Sequence, residues 1–183
     1  MTGTGSVTGD ERLRLFLALR LPEDVLDEIE RWQHAQLRSV RVVPREHLHL
    51  TIAFLGQRPS GELGAIVGAL RDASKGAREI RLTPLRYRET RSVGMLVLDD
   101  EEGRATTLAG DVQERLERLG VYRRESRPWL PHVTVARWRE RPRLRPELPT
   151  VGTFVPSDAA AYLSRLHPGG ARYEVLESVA LGG

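Results

Sequence analysis

The chain contains no cysteine. This absence excludes disulfide bridges, cysteine metal ligands and a cysteine nucleophile. Lysine is almost absent as well, because Lys75 is the only one and arginine carries nearly all of the positive charge. Arginine offers a planar fork that suits phosphate oxygens. The formal net charge of +3 is modest, however, and falls short of the basic stripe typical of duplex-binding proteins.

Long apolar runs are also missing. No stretch is long enough to span a bilayer, and no charged and then apolar leader precedes the first predicted strand. We therefore expect a soluble, cytoplasmic protein. Residues 1–11 have almost nothing to bury and are predicted to be a disordered lead-in, whereas residues 12–183 are predicted to form a single domain.

Strand-like and helix-like patterns alternate along the chain. Helices are predicted from Pro22 to about residue 36 or 37, over residues 60–73 and over residues 105–119. Strands are predicted at both ends of the chain and between the helices, over residues 13–21, 40–43, 80–87, 93–98, 153–155, 159–166 and 173–181. Pro84 indicates an edge strand. Residues 168–170 predict a hairpin turn, and residues 137–149 a mobile connection.

Two further strands carry nearly the same motif, HLTIAFLG from His49 and HVTVAR from His132. In each, polar and apolar residues alternate, so the histidine and the threonine two positions later share one open face. A strand and a helix precede each motif: 33 positions separate Phe16 from His49, and 36 separate Leu96 from His132. The repeat predicts a duplicated β-α-β unit with a pseudo-two-fold axis.

If the two motif strands lie side by side, the imidazoles of His49 and His132 converge with the hydroxyls of Thr51 and Thr134. Hydrolysis of a phosphodiester needs a base for water and an acid for the leaving oxygen, and imidazoles that titrate near neutral pH can fill both roles. The hydroxyls would bind the non-bridging phosphoryl oxygens. These four residues are the predicted catalytic site.

Converging histidines are also typical of metal sites. A metal would need a third ligand, and neither motif carries an acid within its strand, although Glu46 is close enough in sequence to reach the first one. We therefore expect neither a metal nor another cofactor. His47 lies on the same predicted strand face as His49, and we interpret it as a polar residue at the solvent end of the strand, with a minor role in substrate binding left open.

The segments RLFLALRLP, VVPREHLHLTIAFLG, RPWLPHVTVAR and AYLSRLHPGGARYEVL together resemble the 2H phosphoesterase superfamily. Within it they are most similar to the RNA 2′,3′-cyclic phosphodiesterases, historically called 2′-5′ RNA ligases. The resemblance covers nearly the whole chain from about Arg12 onward. It implies a bilobal α+β fold with antiparallel sheets around a central cleft, and metal-independent hydrolysis of terminal 2′,3′-cyclic phosphates to 2′-phosphates.

The resemblance also assigns roles to the motif residues. His49 would donate a proton to the departing 3′ oxygen, His132 would accept one from water, and Thr51 and Thr134 would hold the phosphate. The motifs themselves give no reason to prefer this order of donor and acceptor. Ligation to a 5′-hydroxyl, the reverse reaction, would be a secondary activity, and it would not be driven by ATP because the sequence has no Walker A loop.

Other side chains are candidates to bind flanking RNA. Arginines would contact phosphates and aromatic rings would stack on a base, the candidates being Arg137, Arg127, Arg41, Phe16 and Trp129. Tyr173 and Phe54 are assigned to packing. The expected partner is RNA with a cyclic phosphate end, for example a tRNA fragment, and we expect a monomer. Two other functions stay open: a cyclic phosphodiesterase for a nucleotide or an ADP-ribose cyclic phosphate, and an RNA-binding module without turnover.

Overall fold

A computed structural model describes residues 11–182 and shows two antiparallel sheets and three α-helices in this part of the chain. The helices are α1 (Glu23–Gln36), α2 (Leu63–Lys75) and α3 (Arg104–Arg118). The strands are β1 (Arg12–Arg20), β2 (Arg41–Val42), β3 (His49–Pro59), β4 (Leu82–Glu89), β5 (Val93–Asp100), β6 (His132–Arg137), β7 (Asp158–His167) and β8 (Gly170–Val179). The first sheet has the order β3-β1-β7-β8, and the second has the order β2-β6-β5-β4.

The predicted duplication is present in the order of the elements. The unit β1-α1-β3 carries the first motif on β3, and the unit β5-α3-β6 carries the second on β6. In each unit the motif strand pairs antiparallel with the strand that begins the unit. The α+β class and the antiparallel sheets are therefore confirmed.

Each of these helices crosses to the sheet of the other unit. On α1, Gln33 donates its side-chain N–H groups to the carbonyl oxygen of Val135 in β6 at 2.9 Å and to that of Val43 at 3.0 Å. On α3, Gln113 donates to the carbonyl oxygen of Ile52 in β3 at 2.9 Å. Apolar residues from both sheets and all three helices belong to one continuous core. We therefore propose that residues 12–183 form a single domain.

Local sequence accounts for where the helices begin. Pro22 precedes α1, and Glu23 and Asp24 place negative charge at its positive end. At the start of α3 the carboxylate of Asp100 accepts hydrogen bonds from the backbone N–H groups of Ala105 and Thr106, at 2.9 and 2.8 Å. These bonds satisfy donors that have no partner within the helix.

Two predicted elements differ from the structure. The helix predicted over residues 60–73 begins only at Leu63, because Ser60–Glu62 form a 3₁₀ turn. The strand predicted over residues 153–155 is an isolated bridge between Phe154 and Leu82. Pro156 follows closely and lacks the N–H group that a longer ladder would use. The edge position of β4 and the hairpin between β7 and β8 are as predicted.

The connection after β6, which was predicted to be mobile, is hydrogen-bonded to the body of the protein. The side chain of Glu89 is only 3% exposed and accepts the backbone N–H groups of Arg143 at 3.0 Å and Leu144 at 2.7 Å. Further along, the indole N–H of Trp32 donates to the carbonyl oxygen of Glu147 at 2.6 Å. These contacts attach the connection to β4 and α1.

The predicted disordered lead-in lies outside the described residues except for Glu11, whose carbonyl oxygen accepts the N–H group of Ser60 at 2.8 Å. Within residues 11–182, none of the helices combines the length and the apolar character needed to cross a membrane.

The tightest glycine site described lies in β5, and it generates a stability prediction. A Cβ atom at Gly94 would lie 2.5 Å from the hydroxyl of Tyr87 and 2.7 Å from the ring of Trp138. Gly94→Ala should therefore lower the free energy of unfolding by about 1–3 kcal/mol, measured by urea denaturation. The matched Gly68→Ala, inside α2 with nothing within 4 Å, should raise it by about 0.5–1 kcal/mol. Equal effects of the two substitutions would contradict this packing.

Candidate active site

The two motif strands lie next to each other, β3 from the first sheet and β6 from the second. A cavity of about 840 Å³ opens over them. All four residues of the predicted catalytic site line it, namely His49, Thr51, His132 and Thr134. The structure thus brings together the side chains that the two motifs predicted.

Both motif strands have the same pattern of exposure. Over six residues, from His49 to Phe54 and from His132 to Arg137, the order is half-buried, buried, half-buried, buried, buried, exposed. The pairing of each strand with its neighbour is irregular just after the threonine. One extra residue, a β-bulge, therefore places the third residue after each threonine on the cleft face. These residues are Phe54 and Arg137, and both line the cavity.

Each motif histidine is held by a carbonyl two residues earlier. His132 donates from Nδ1 to the carbonyl oxygen of Leu130 at 2.7 Å, so Nε2 carries the free lone pair of the neutral ring. The ring of His49 makes a hydrogen bond to the backbone of His47. Its Nε2 lies 3.1 Å from the hydroxyl oxygen of Thr51. The Nε2 atom of His132 is thus directed to the cleft, and the Nε2 atom of His49 is directed to Thr51.

The ring of His49 lies in a largely aromatic environment. Its centroid is 5.0 Å from that of Phe16, and Tyr162 and Tyr173 lie within 6 Å. Burial lowers the pKa of His49 to about 4. The charges of His47, His132 and Arg137 also lower this pKa, and the hydrogen bond to the backbone of His47 opposes the shift. His49 is therefore neutral at pH 7 in the unliganded protein.

Two buried glutamines hold the bulges, and the sequence analysis did not identify them. Gln33 is 2% exposed and Gln113 is 5% exposed. Each donates to the carbonyl oxygen of the residue directly after a motif threonine, Val135 and Ile52 respectively. Both could have been found in the sequence, because each is a glutamine on the apolar face of an amphipathic helix. A buried amide without a hydrogen-bond partner is energetically costly, so a glutamine there indicates a buried partner.

The floor of the cavity explains two further differences from the predictions. Phe16 is only 3% exposed, with the rings of His49 and Tyr162 stacked on it, so the structure does not support base stacking by this residue. Phe54, which was assigned to packing, is 49% exposed and lies under the guanidinium of Arg14 at 4.8 Å. The packing assignment of Phe54 is therefore wrong.

The cavity wall also differs from the predictions at His47, whereas Tyr173 packs against Phe16 as predicted, with ring centroids 4.8 Å apart. His47 ends a 3₁₀ turn (Arg45–His47) rather than lying on the motif strand, because the strand begins only at His49. Its ring lies 4.2 Å from that of Tyr173, and both line the cavity. Burial lowers the pKa of His47, Arg137 lowers it further, and the charge of Glu46 raises it. The two rings face each other beside His49, with an angle of 34° between their planes.

Basic side chains surround the cavity. Arg41 and Arg137 pair in register between β2 and β6 and both line it, together with Arg14 and Arg172. Within residues 11–182 none of these four arginines forms an ion pair with a carboxylate. Arg127 and Trp129, in contrast, line a second cavity on the other side of His132. Trp129 donates its indole N–H to the carbonyl oxygen of Thr51 at 3.0 Å, and Arg127 pairs with Glu125 at 2.7 Å.

Glu46 lines the first cavity, as its place in the sequence suggested. Among the residues that the structure describes, no group of three or more His, Asp or Glu side chains is arranged to hold a metal ion.

Removing a buried glutamine should disturb both stability and the site. In Gln113→Leu the carbonyl oxygen of Ile52 loses this partner, so we expect the free energy of unfolding to fall by about 1–3 kcal/mol in urea denaturation. Gln33→Leu should act in the same direction, because it removes a hydrogen bond from the carbonyl oxygens of both Val43 and Val135, of which Val135 keeps the backbone N–H of Val43. Gln57→Leu, on an exposed part of β3, should change stability by less than about 0.5 kcal/mol. Indistinguishable stabilities of the three variants would contradict the role of the buried amides.

The low pKa of His49 should appear in the stability of the unliganded protein. Above pH 6.5 the ring is neutral in the folded and unfolded states and contributes no pH dependence. Between pH 6.5 and 4 the unfolded chain binds more protons, so His49 should reduce stability by up to about 3 kcal/mol as the pH falls. Urea denaturation of His49→Asn at pH 7 and 4.5 should show a smaller loss than the native protein. His34→Asn, on the exposed face of α1, should keep the native loss, and equal losses in both variants would argue against a buried neutral His49.

Comparison with known proteins relates this chain to a protein family. The model of the 2′-5′ RNA ligase superfamily matches residues 21–167. A Thermus thermophilus protein named RNA 2′,3′-cyclic phosphodiesterase is 34% identical, and the alignment covers 93% of this chain and 91% of that protein. A Methanocaldococcus jannaschii protein of the same name is 25% identical, with 90% of this chain and 99% of that protein covered.

Solved structures show the same fold. The crystal structure of E. coli LigT complexed with 3′-AMP superposes with a TM-score of 0.81 at 24% identity, covering 93% of this chain and 99% of that chain. The crystal structure of TT0787 of Thermus thermophilus gives a TM-score of 0.76 at 28% identity, covering 92% of this chain and 98% of that chain. The resemblance inferred from the two motifs is thereby confirmed, and the chain belongs to the 2′-5′ RNA ligase superfamily.

Proposed function

We propose that this protein hydrolyses the terminal 2′,3′-cyclic phosphate of RNA to a 2′-phosphate, without a metal, by acid and base catalysis from two histidines. The observation that carries the proposal is the convergence of both His-x-Thr pairs in one cavity. The names of the curated relatives support the same reaction.

The reaction can be written with the groups in the cavity. Nε2 of His132 is free to accept a proton from water, whose oxygen then attacks phosphorus. The bond from phosphorus to the 3′ oxygen breaks, and that oxygen takes a proton from His49. The hydroxyls of Thr51 and Thr134 donate to the non-bridging oxygens, and their fixed positions favour the transition state. The phosphate stays on the 2′ oxygen.

His49 must carry a proton for this role, although its pKa is about 4 in the unliganded protein. A bound cyclic phosphate brings a negative charge next to the ring, and a nearby negative charge favours the protonated form. Substrate binding would then be accompanied by uptake of a proton at His49. This order would keep the buried site free of an unpaired charge until the substrate is present.

The surroundings of the cavity favour a nucleotide end over a smaller phosphoester. The rings of His47 and Tyr173 line the cavity and offer aromatic surface on which a base can stack, and Arg41 and Arg137 provide charge for phosphates. Fragments of tRNA are one source of such RNA ends, and we place the reaction in the cytoplasm, where they occur. Since one chain supplies both motifs, a monomer is sufficient for activity.

The test is a product analysis with an oligonucleotide that ends in a 2′,3′-cyclic phosphate, in the presence of EDTA. We expect a 2′-phosphate product, identified by mass and by resistance to a 3′-specific phosphatase. His49→Ala and His132→Ala should each lower kcat/KM by about 10²- to 10⁴-fold, because each removes one proton transfer. His34→Ala, on α1, should keep full activity. Unchanged turnover in either motif variant, or a well-folded native protein without product, would refute the proposal.

A further inference from the structure

A second cavity of about 850 Å³ lies beside the first. It is bounded by parts of β3, β4 and β5 and by the loop that precedes β6. Both cavities are lined by Thr51, Phe54 and His132, whereas His49 and Thr134 line only the first. The second cavity therefore opens at the reacting site, on the side of His132.

The second cavity is basic. Four arginines line it, namely Arg88, Arg123, Arg124 and Arg127, against one acid, Glu125. Arg124 pairs with Glu117 and Arg127 with Glu125. Arg88 and Arg123 are exposed and form no ion pair among residues 11–182. Their guanidinium groups are available for an anionic ligand.

The position of this cavity matters for an in-line displacement. In such a reaction the attacking and leaving oxygens lie on opposite sides of phosphorus. With the nucleoside in the first cavity and its 3′ oxygen towards His49, the attacking oxygen comes from the side of His132. A water molecule occupies about 30 Å³. A cavity of about 850 Å³ lined by arginines is far larger than an attacking water requires.

Aromatic surface accompanies the charge. Phe54 is 49% exposed and lies where the two cavities meet. The ring of Trp129 lines the second cavity, while its indole N–H donates a hydrogen bond to the carbonyl oxygen of Thr51. Aromatic rings beside a basic groove are the usual components of single-stranded nucleic-acid sites.

We propose that the second cavity binds a single-stranded RNA segment next to His132, with phosphates on Arg88 and Arg123; this inference rests on the proposed function. The segment can come from the substrate strand itself or from a second strand that ends in a 5′-hydroxyl. In the second case the 5′ oxygen replaces water: its bond to phosphorus forms while the bond to the 3′ oxygen breaks. The hydroxyl proton passes to His132 and the 3′ oxygen takes the proton of His49, so no further reactant is needed.

The test uses the double variant Arg88→Ala/Arg123→Ala and a control of equal charge, Arg38→Ala/Arg145→Ala. The two control arginines are exposed and line neither cavity. Binding of a fluorescent single-stranded RNA without a cyclic end, measured by anisotropy, gives a readout that does not depend on turnover. The cavity variant should bind at least about tenfold more weakly than the control. Its slope of log Kd against log salt should be smaller by about 1.4, for two lost phosphate contacts. Equal affinities and slopes would overturn the proposal.

Kinetic assays distinguish the two sources of RNA. If the segment belongs to the substrate strand, the cavity variant should lose at least about tenfold in kcat/KM on a cyclic-phosphate hexanucleotide, but not on 2′,3′-cyclic AMP. If it belongs to a second strand, only formation of the 2′-5′-joined product with an added 5′-hydroxyl RNA should fall. Absence of hydrolysis with every cyclic substrate would refute the proposed function instead, and the binding result would still decide whether the cavity holds RNA.

Discussion

The bulge that follows the threonine in each motif strand determines what the cleft contains. Without the bulges after Thr51 and Thr134, strict alternation would turn Phe54 and Arg137 away from the cleft face. At each bulge a buried amide from a helix of the other unit donates to the carbonyl oxygen that follows the threonine, and at Val135 it does so beside the backbone N–H of Val43. The catalytic geometry is therefore fixed by hydrogen bonds to the main chain, beneath the side chains that would perform the chemistry.

Positively charged side chains outnumber acids in the first cavity, so a bound anion would be needed to balance their charge. Four arginines and two motif histidines line the first cavity, and Glu46 is the acid that faces them there. The aromatic floor excludes water from His49 and keeps it neutral, which avoids adding another positive charge to this group. An anionic phosphate is thus the component that would make the local electrostatics favourable.

Much of the fold followed from local sequence patterns. The element order, the edge strand marked by Pro84 and the four convergent motif residues were predictable because alternation, helical periodicity and proline act over a few residues. The bulges also left a local signal, since two successive apolar residues, Ile52-Ala53 and Val135-Ala136, break the alternation at the same place in both motifs. In contrast, no local sequence signal indicated that α1 and α3 each contact the motif strand of the other unit. Periodicity shows which face of a helix is buried but not which sheet covers it, so the roles of the two glutamines required the structure.

The exchange of helices between the two units has a consequence for how such a protein can be assembled. One unit alone, a strand, a helix and a motif strand, has no glutamine placed to hold its own bulge. Two separate units could complete each other only by meeting in solution, at a rate set by their concentration. Joining them in one chain turns that encounter into an intramolecular step with a high effective concentration. The linker between the two units therefore contributes to the active site, because it holds the helix of each unit close to the motif strand of the other.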